Sequence, residues 1–131
     1  MTTPGSAGRR QTQEISQDQW IPFLAEFTRE NRGAHARLTI IGAEADVGAQ
    51  VETENRPFDG VSADVKDRER TVWITFGTSA EDHMTHGVHR ATAIRTLLPA
   101  GGSGPVLEVE SADGAKTLVE LVAEPYSLPA R

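Results

Sequence analysis

Cysteine is absent from the 131 residues, which excludes disulfides, thiol catalysis and cysteine-based zinc sites together. A chain without thiols suits a reducing compartment, so a cytoplasmic setting is the expectation. Long hydrophobic runs are also missing. No stretch approaches the ~20 apolar residues that a membrane-spanning helix needs. The opening MTTPGSAGRRQTQ lacks the apolar centre of a signal peptide, so export by that route is not expected. Lysine is scarce, with Lys66 and Lys116 against eleven arginines, and acidic residues outnumber basic ones 19 to 13 for a net charge of −6. A phosphate backbone repels such a surface unless basic residues cluster. They do not: Arg9 and Arg10 stand in a polar tail, and Arg68 and Arg70 alternate with Asp67 and Glu69. Nucleic acid is therefore not an expected partner.

What is present is ordinary globular material, 37% hydrophobic and 24% charged, long enough to build a core without disulfide or metal staples. Residues 1–13 are small, polar and aperiodic and are expected to form a disordered tail. A single globular domain is expected over 14–124, with 125–131 as a C-terminal tail carrying two prolines.

The helix signal is sharp. Ser16-Gln17-Asp18-Gln19 fits a capping box, and Ile15 with Trp20 fits its hydrophobic staple. Trp20, Phe23, Leu24 and Phe27 follow at i, i+3, i+4 and i+7, one apolar stripe. Gly33 suits the residue after the helix end. Pro22 lies beyond the first turn if Ser16 caps, which predicts either a kink or a true cap at Asp18.

Beyond Gly33 the apolar period falls from 3.6 to 2. Strands are predicted over 36–41, 49–54, 61–65, 71–76, 89–98, 106–110 and 116–122, about seven in all. Residues 55–60, Asn-Arg-Pro-Phe-Asp-Gly, read as a turn cluster, and 78–87 as a loop or one helical turn. Asp113-Gly114 between alternating segments predicts a type I′ hairpin. Trp73 points opposite to Val72, Ile74 and Phe76, which predicts a strand buried on both faces, with Trp73 in the core. Connections this short cannot make parallel crossovers. The expected class is α+β: an N-terminal amphipathic helix packed on a bent, largely antiparallel sheet or a small β-barrel.

Concentrated chemistry appears once, in Asp82-His83-Met84-Thr85-His86-Gly87-Val88-His89. His83, His86 and His89 are the candidate metal ligands, since imidazole and carboxylate hold zinc where cysteine is missing. Geometry tests the trio. On a helix His83 and His89 stand about 9 Å apart along the axis. On a strand they stand about 20 Å apart, with His86 on the opposite face. A further ligand would have to come from His35 or a carboxylate. Arg56 and Phe58, in the predicted turn, form a candidate contact loop. Glu52 with Glu54, and Glu108 with Glu110, place carboxylates at i, i+2 on one strand face, a spacing common on solvent-facing strands.

The series Trp20-x-x-Phe23-Leu24-x-x-Phe27-Thr28-Arg29, with Gly33 and the strand at Leu38–Ile40, resembles the opening of an uncharacterised family of small bacterial proteins. Residues Leu107 to Gly114 and the strand after them resemble its close. The likeness spans roughly residues 14–122 and implies no activity, because that family is a domain of unknown function. A second likeness, of residues 89–99 to the last strands of Sm-like RNA-binding barrels, implies a short helix followed by five strands. The acidic balance and the extra strands depart from that pattern. The expected function is a non-enzymatic domain acting by protein contact or small-ligand binding. A protein partner or a second copy is the expected company. The alternative is a metal-binding protein or metal-dependent enzyme using the histidine segment, with a divalent metal as its cofactor; the sequence requires no other.

Overall fold

The computed structural model describes residues 11–42, 49–66, 69–79, 81–98 and 104–122. Its elements, in chain order, are β1 (Gln11–Ile15), a 3-10 turn (Gln17–Gln19), α1 (Trp20–Asn31), β2 (His35–Ile41), β3 (Ala49–Asp64), β4 (Thr71–Phe76), β5 (Met84–Val88), β6 (Ala91–Leu98), β7 (Val106–Ser111) and β8 (Lys116–Leu121). The strands form one sheet in the order β1-β6-β7-β8-β2-β3-β4-β5. Every pairing is antiparallel. The described residues thus form one helix and an eight-stranded antiparallel sheet, consistent with the α+β expectation. No helix among them is long and apolar enough to cross a membrane.

The sheet is folded over. Strands β4 and β6 stand five places apart in its order, about 24 Å in a flat sheet. Yet the Ala91 N–H, opening β6, donates to the Arg70 carbonyl just ahead of β4 at 2.9 Å. The core fills the concave side: Trp20, Leu24 and Phe27 of α1 join Leu38, Phe58, Ile74, Ile94, Leu107 and Val119 from six strands.

The helix entry differs from the capping box. Ser16 makes no cap to the backbone; its hydroxyl donates to Asp18 Oδ1 at 2.9 Å. The 3-10 turn absorbs residues 17–19, so α1 begins at Trp20. Pro22 then falls in the first helical turn, where its missing N–H has no partner to lose. The staple pair does meet, since Trp20 Nε1 donates to the Ile15 carbonyl at 3.1 Å. Gly33 follows the helix with φ +93°.

Three further expectations are corrected. Residues 11–13 belong to β1, paired with β6 from Gln11↔Leu98 to Ile15↔Ile94, and not to a tail. The predicted turn at 55–60 is no reversal: β3 runs straight through it for 16 residues. The turn-forming residues instead make a bulge with Asn55 at φ +64°. The ladder there changes partner, from His35↔Pro57 on β2 to Phe58↔Phe76 on β4. A proline is tolerated at such a handover because the ladder asks no N–H of it. Residues 84–87, read as loop or one helical turn, form β5 together with Val88, an edge strand. One merger and two additions turn seven strands into eight, and seven of these follow the helix where the Sm-like likeness implied five.

The hairpin between β7 and β8 forms, but not with a type I′ turn. Gly114 alone of its residues has positive φ, and its N–H donates to the Ser111 carbonyl at 2.9 Å. That is a three-residue loop with a left-handed glycine closing it.

Beyond Phe58, β3 has β4 on one side only, and α1 seals the other. The Thr28 hydroxyl accepts from the Val61 N–H at 2.9 Å and donates to the Val61 carbonyl at 3.1 Å, standing in for a neighbouring strand. Arg32 Nε donates to the Asp59 carbonyl at 3.0 Å. A bare row of backbone groups invites pairing with another chain. Here one helical face occupies it.

Candidate binding face

Where β3, β4 and β5 run side by side, alternation sends Val72, Ile74 and Phe76 into the core and Thr71, Trp73 and Thr75 to the other side. The expectation that this strand is buried on both faces is therefore corrected. Trp73 is 39% exposed, whereas Trp20 is 1% exposed. Trp73 pairs with Ser62 of β3 on one side and Gly87 of β5 on the other. A Cβ on Gly87 would lie 2.6 Å from Cζ3 of the indole, so the six-membered ring rests directly on the β5 backbone. The His89 ring stands edge-on to it, centroids 5.7 Å apart at 88°. His89 Nδ1 lies 3.3 Å from the Thr71 hydroxyl.

On its β3 side the indole walls a shallow cleft of about 210 Å³, whose other walls include Thr28, Arg32, Asp59, Ser62 and Thr75. Arg32 and Asp59 form an ion pair across it at 3.7 Å. The hydroxyls of Ser62 and Thr75 make no hydrogen bond among the described residues. A partly exposed indole thus stands beside hydroxyls without a partner among the described residues and a self-compensated charge pair.

A family model described as a family of unknown function (DUF5335) matches residues 11–131. The chain belongs to this family. The DUF5335 match opens at Gln11, where β1 opens. No curated protein and no solved structure matches the chain. Roles for residues of this DUF5335 domain must therefore come from its own geometry.

That geometry does not unite the histidine trio. Met84 packs on the core and Val88 is buried, so alternation turns His86 to the same inner side. His83 and His89 flank β5 and are exposed. Burial holds the His86 imidazole below its ordinary pKa, against the pull of Glu52 and with the push of His89. Among the described residues no three His, Asp or Glu side chains are placed to share one ion.

The contact loop is also corrected. Phe58 is 1% exposed and packs edge-on against Phe27 at 5.7 Å and Phe76 at 6.3 Å. Half-buried Arg56 is a brace, donating from Nε to Thr53 Oγ1 at 2.8 Å and from Nη1 to the Asp82 carbonyl at 2.9 Å. The Asp82 carboxylate accepts from Ser79, through its backbone and hydroxyl, and from the Thr78 N–H. Those donors hold its carboxyl below the usual range. The acidic segment ahead of the histidines is thus a tied loop.

Of the first carboxylate pair, Glu54 faces Arg37 at 3.7 Å and Glu52 has no ion-pair partner among the described residues; of the second, Arg95 gathers both Glu108 at 2.5 Å and Glu110 at 2.9 Å. Sequence reasoning missed Trp73 as a surface group. Its signal was available: threonines on either side at i±2 make Thr71-Trp73-Thr75 a half-polar face, and Gly87 on the next strand leaves room for the ring.

Proposed function

We propose that this DUF5335 domain is a binding module and that its ligand or partner meets the outer face of β3, β4 and β5 around Trp73. The single observation carrying this reading is a large aromatic side chain left 39% exposed while held against a glycine backbone. An indole without such a contact samples several rotamers. One held in place is preorganised, so a ligand that covers it gains burial without ordering the side chain. The reading keeps the reducing cytoplasm expected of a cysteine-free chain as its setting.

The two tryptophans give the experiment. Their indole Nε1–H signals separate Trp73 from the buried Trp20 in a nitrogen-edited NMR spectrum. Screening a small-molecule fragment library is expected to yield binders that move the Trp73 signal and leave Trp20 in place. Binders that perturb only other surfaces would overturn the assignment of the face.

A further inference from the structure

The cleft beside Trp73 has a chemistry that narrows the ligand class. We infer that it takes a single neutral sugar ring, free or at the end of a glycan, stacked on Trp73; this rests on the Trp73 face being the binding surface. Three observations converge. The electron-rich face of an indole attracts the weakly positive C–H groups that one side of a pyranose presents. The remaining walls offer what a ring of hydroxyls needs. Ser62 and Thr75 carry free hydroxyls that donate or accept, the Asp59 carboxylate accepts, and the Arg32 guanidinium donates. Charge is balanced within the cleft, because Arg32 and Asp59 face each other at 3.7 Å and are both exposed enough to reach a ligand. A site with its charges already paired discriminates against an ionic ligand, which would have to break that pair.

Size points the same way. At about 210 Å³ the cleft is smaller than the roughly 300–1,000 Å³ of pockets for drug-sized ligands, a size that suits a single ring. Gly87 is a positioning residue in this scheme. It touches no ligand, but a side chain there would lift the indole off the β5 backbone and tilt the stacking plane.

The test uses the full chain and named probes: glucose, galactose, mannose and N-acetylglucosamine, then their soluble oligomers, each titrated to about 50 mM. That ceiling is far above the roughly millimolar Kd of a small site with one stacking plane. The expected result is a saturable shift of the Trp73 indole signal with at least one sugar, Trp20 unmoved. Trp73→Ala is expected to weaken binding more than tenfold and Trp73→Phe to keep part of it. Asp59→Asn, which leaves the core untouched, is expected to raise Kd several-fold. Equal Kd for a monosaccharide and its oligomer assigns the site to the free sugar, and tighter binding of the oligomer assigns it to a glycan end. If library fragments move the Trp73 signal but no sugar does, the sugar class is overturned while the binding face stands. If neither moves it, both fall.

Discussion

Across β1, β6 and β7 the outward polar side chains find one another: Arg95 reaches Glu14 at 3.2 Å, Glu108 at 2.5 Å and Glu110 at 2.9 Å. On the other outer face, across β3, β4 and β5, the Ser62 and Thr75 hydroxyls have no such partner among the described residues, and Trp73 lies open beside them. The two faces belong to one sheet and share one core, yet their polar groups are used differently. Around Arg95 each charge is answered within the fold, and its own proton is held more tightly than in free arginine, by Glu110 and Glu108 first. Such a network supports the fold and has little left for a ligand. Around Trp73 the polar groups cost nothing in stability because water satisfies them, and a ligand can replace that water.

The contrast breaks first at Arg95. Arg95→Ala strands Glu108, whose side chain is only 12% exposed, and is expected to cost about 2–3 kcal/mol, read as a lower urea midpoint with unchanged slope. Adding Glu108→Gln should recover part of that loss. If Arg95→Ala is neutral, the network is surface decoration and the two faces no longer differ.

Gly87→Ala sharpens the other side. The added methyl meets the indole, so a loss of about 1–2 kcal/mol is expected, with stronger acrylamide quenching of Trp73 fluorescence as the ring lifts. Trp73→Ala itself should cost about 1–2 kcal/mol, because 39% of the residue is already exposed and has no burial to lose. The same change at Trp20 removes a buried group and should cost about 3–5 kcal/mol. Similar losses at the two tryptophans would show that Trp73 is part of the core.

The smallest effect is in pH, on the inner side of the same half-sheet. Burial depresses the His86 pKa, with Glu52 opposing and His89 reinforcing. The folded protein therefore favours neutral imidazole. The associated stability is present above the ordinary histidine value of about 6.5 and is lost as pH falls through the lowered one. Urea midpoints near pH 7.5 and near pH 5.5 should differ in the wild type and converge in His86→Gln. An unchanged difference would place the titration elsewhere.

Much of the architecture is legible in the chain. Trp20, Phe23, Leu24 and Phe27 announce the helix and its buried stripe, and Val72-Ile74-Phe76 announces β4, because local periodicity and burial agree there. The Asn55–Gly60 segment misleads because turn propensity is a local quantity. The core's demand for Phe58, wedged between Phe27 and Phe76, outweighs it and draws the segment into a bulged strand. β1 escapes a reading by pattern because Gln11-Thr12-Gln13-Glu14 has no hydrophobic period. Its pairing with β6 places only Ile15 in the core.

The sequence by itself determined the helix, the period-2 strands, the antiparallel pairing and the net acidity, since each follows from neighbours a few residues apart or from composition. Tertiary structure decided which polar groups are satisfied within the fold and which stay free. Arg95 meets Glu14 across 81 positions and Thr28 caps Val61 across 33. Trp73 settles against β5 because the position it rests on is a glycine. Contacts that distant depend on the register of the folded sheet, and no local pattern carries that information.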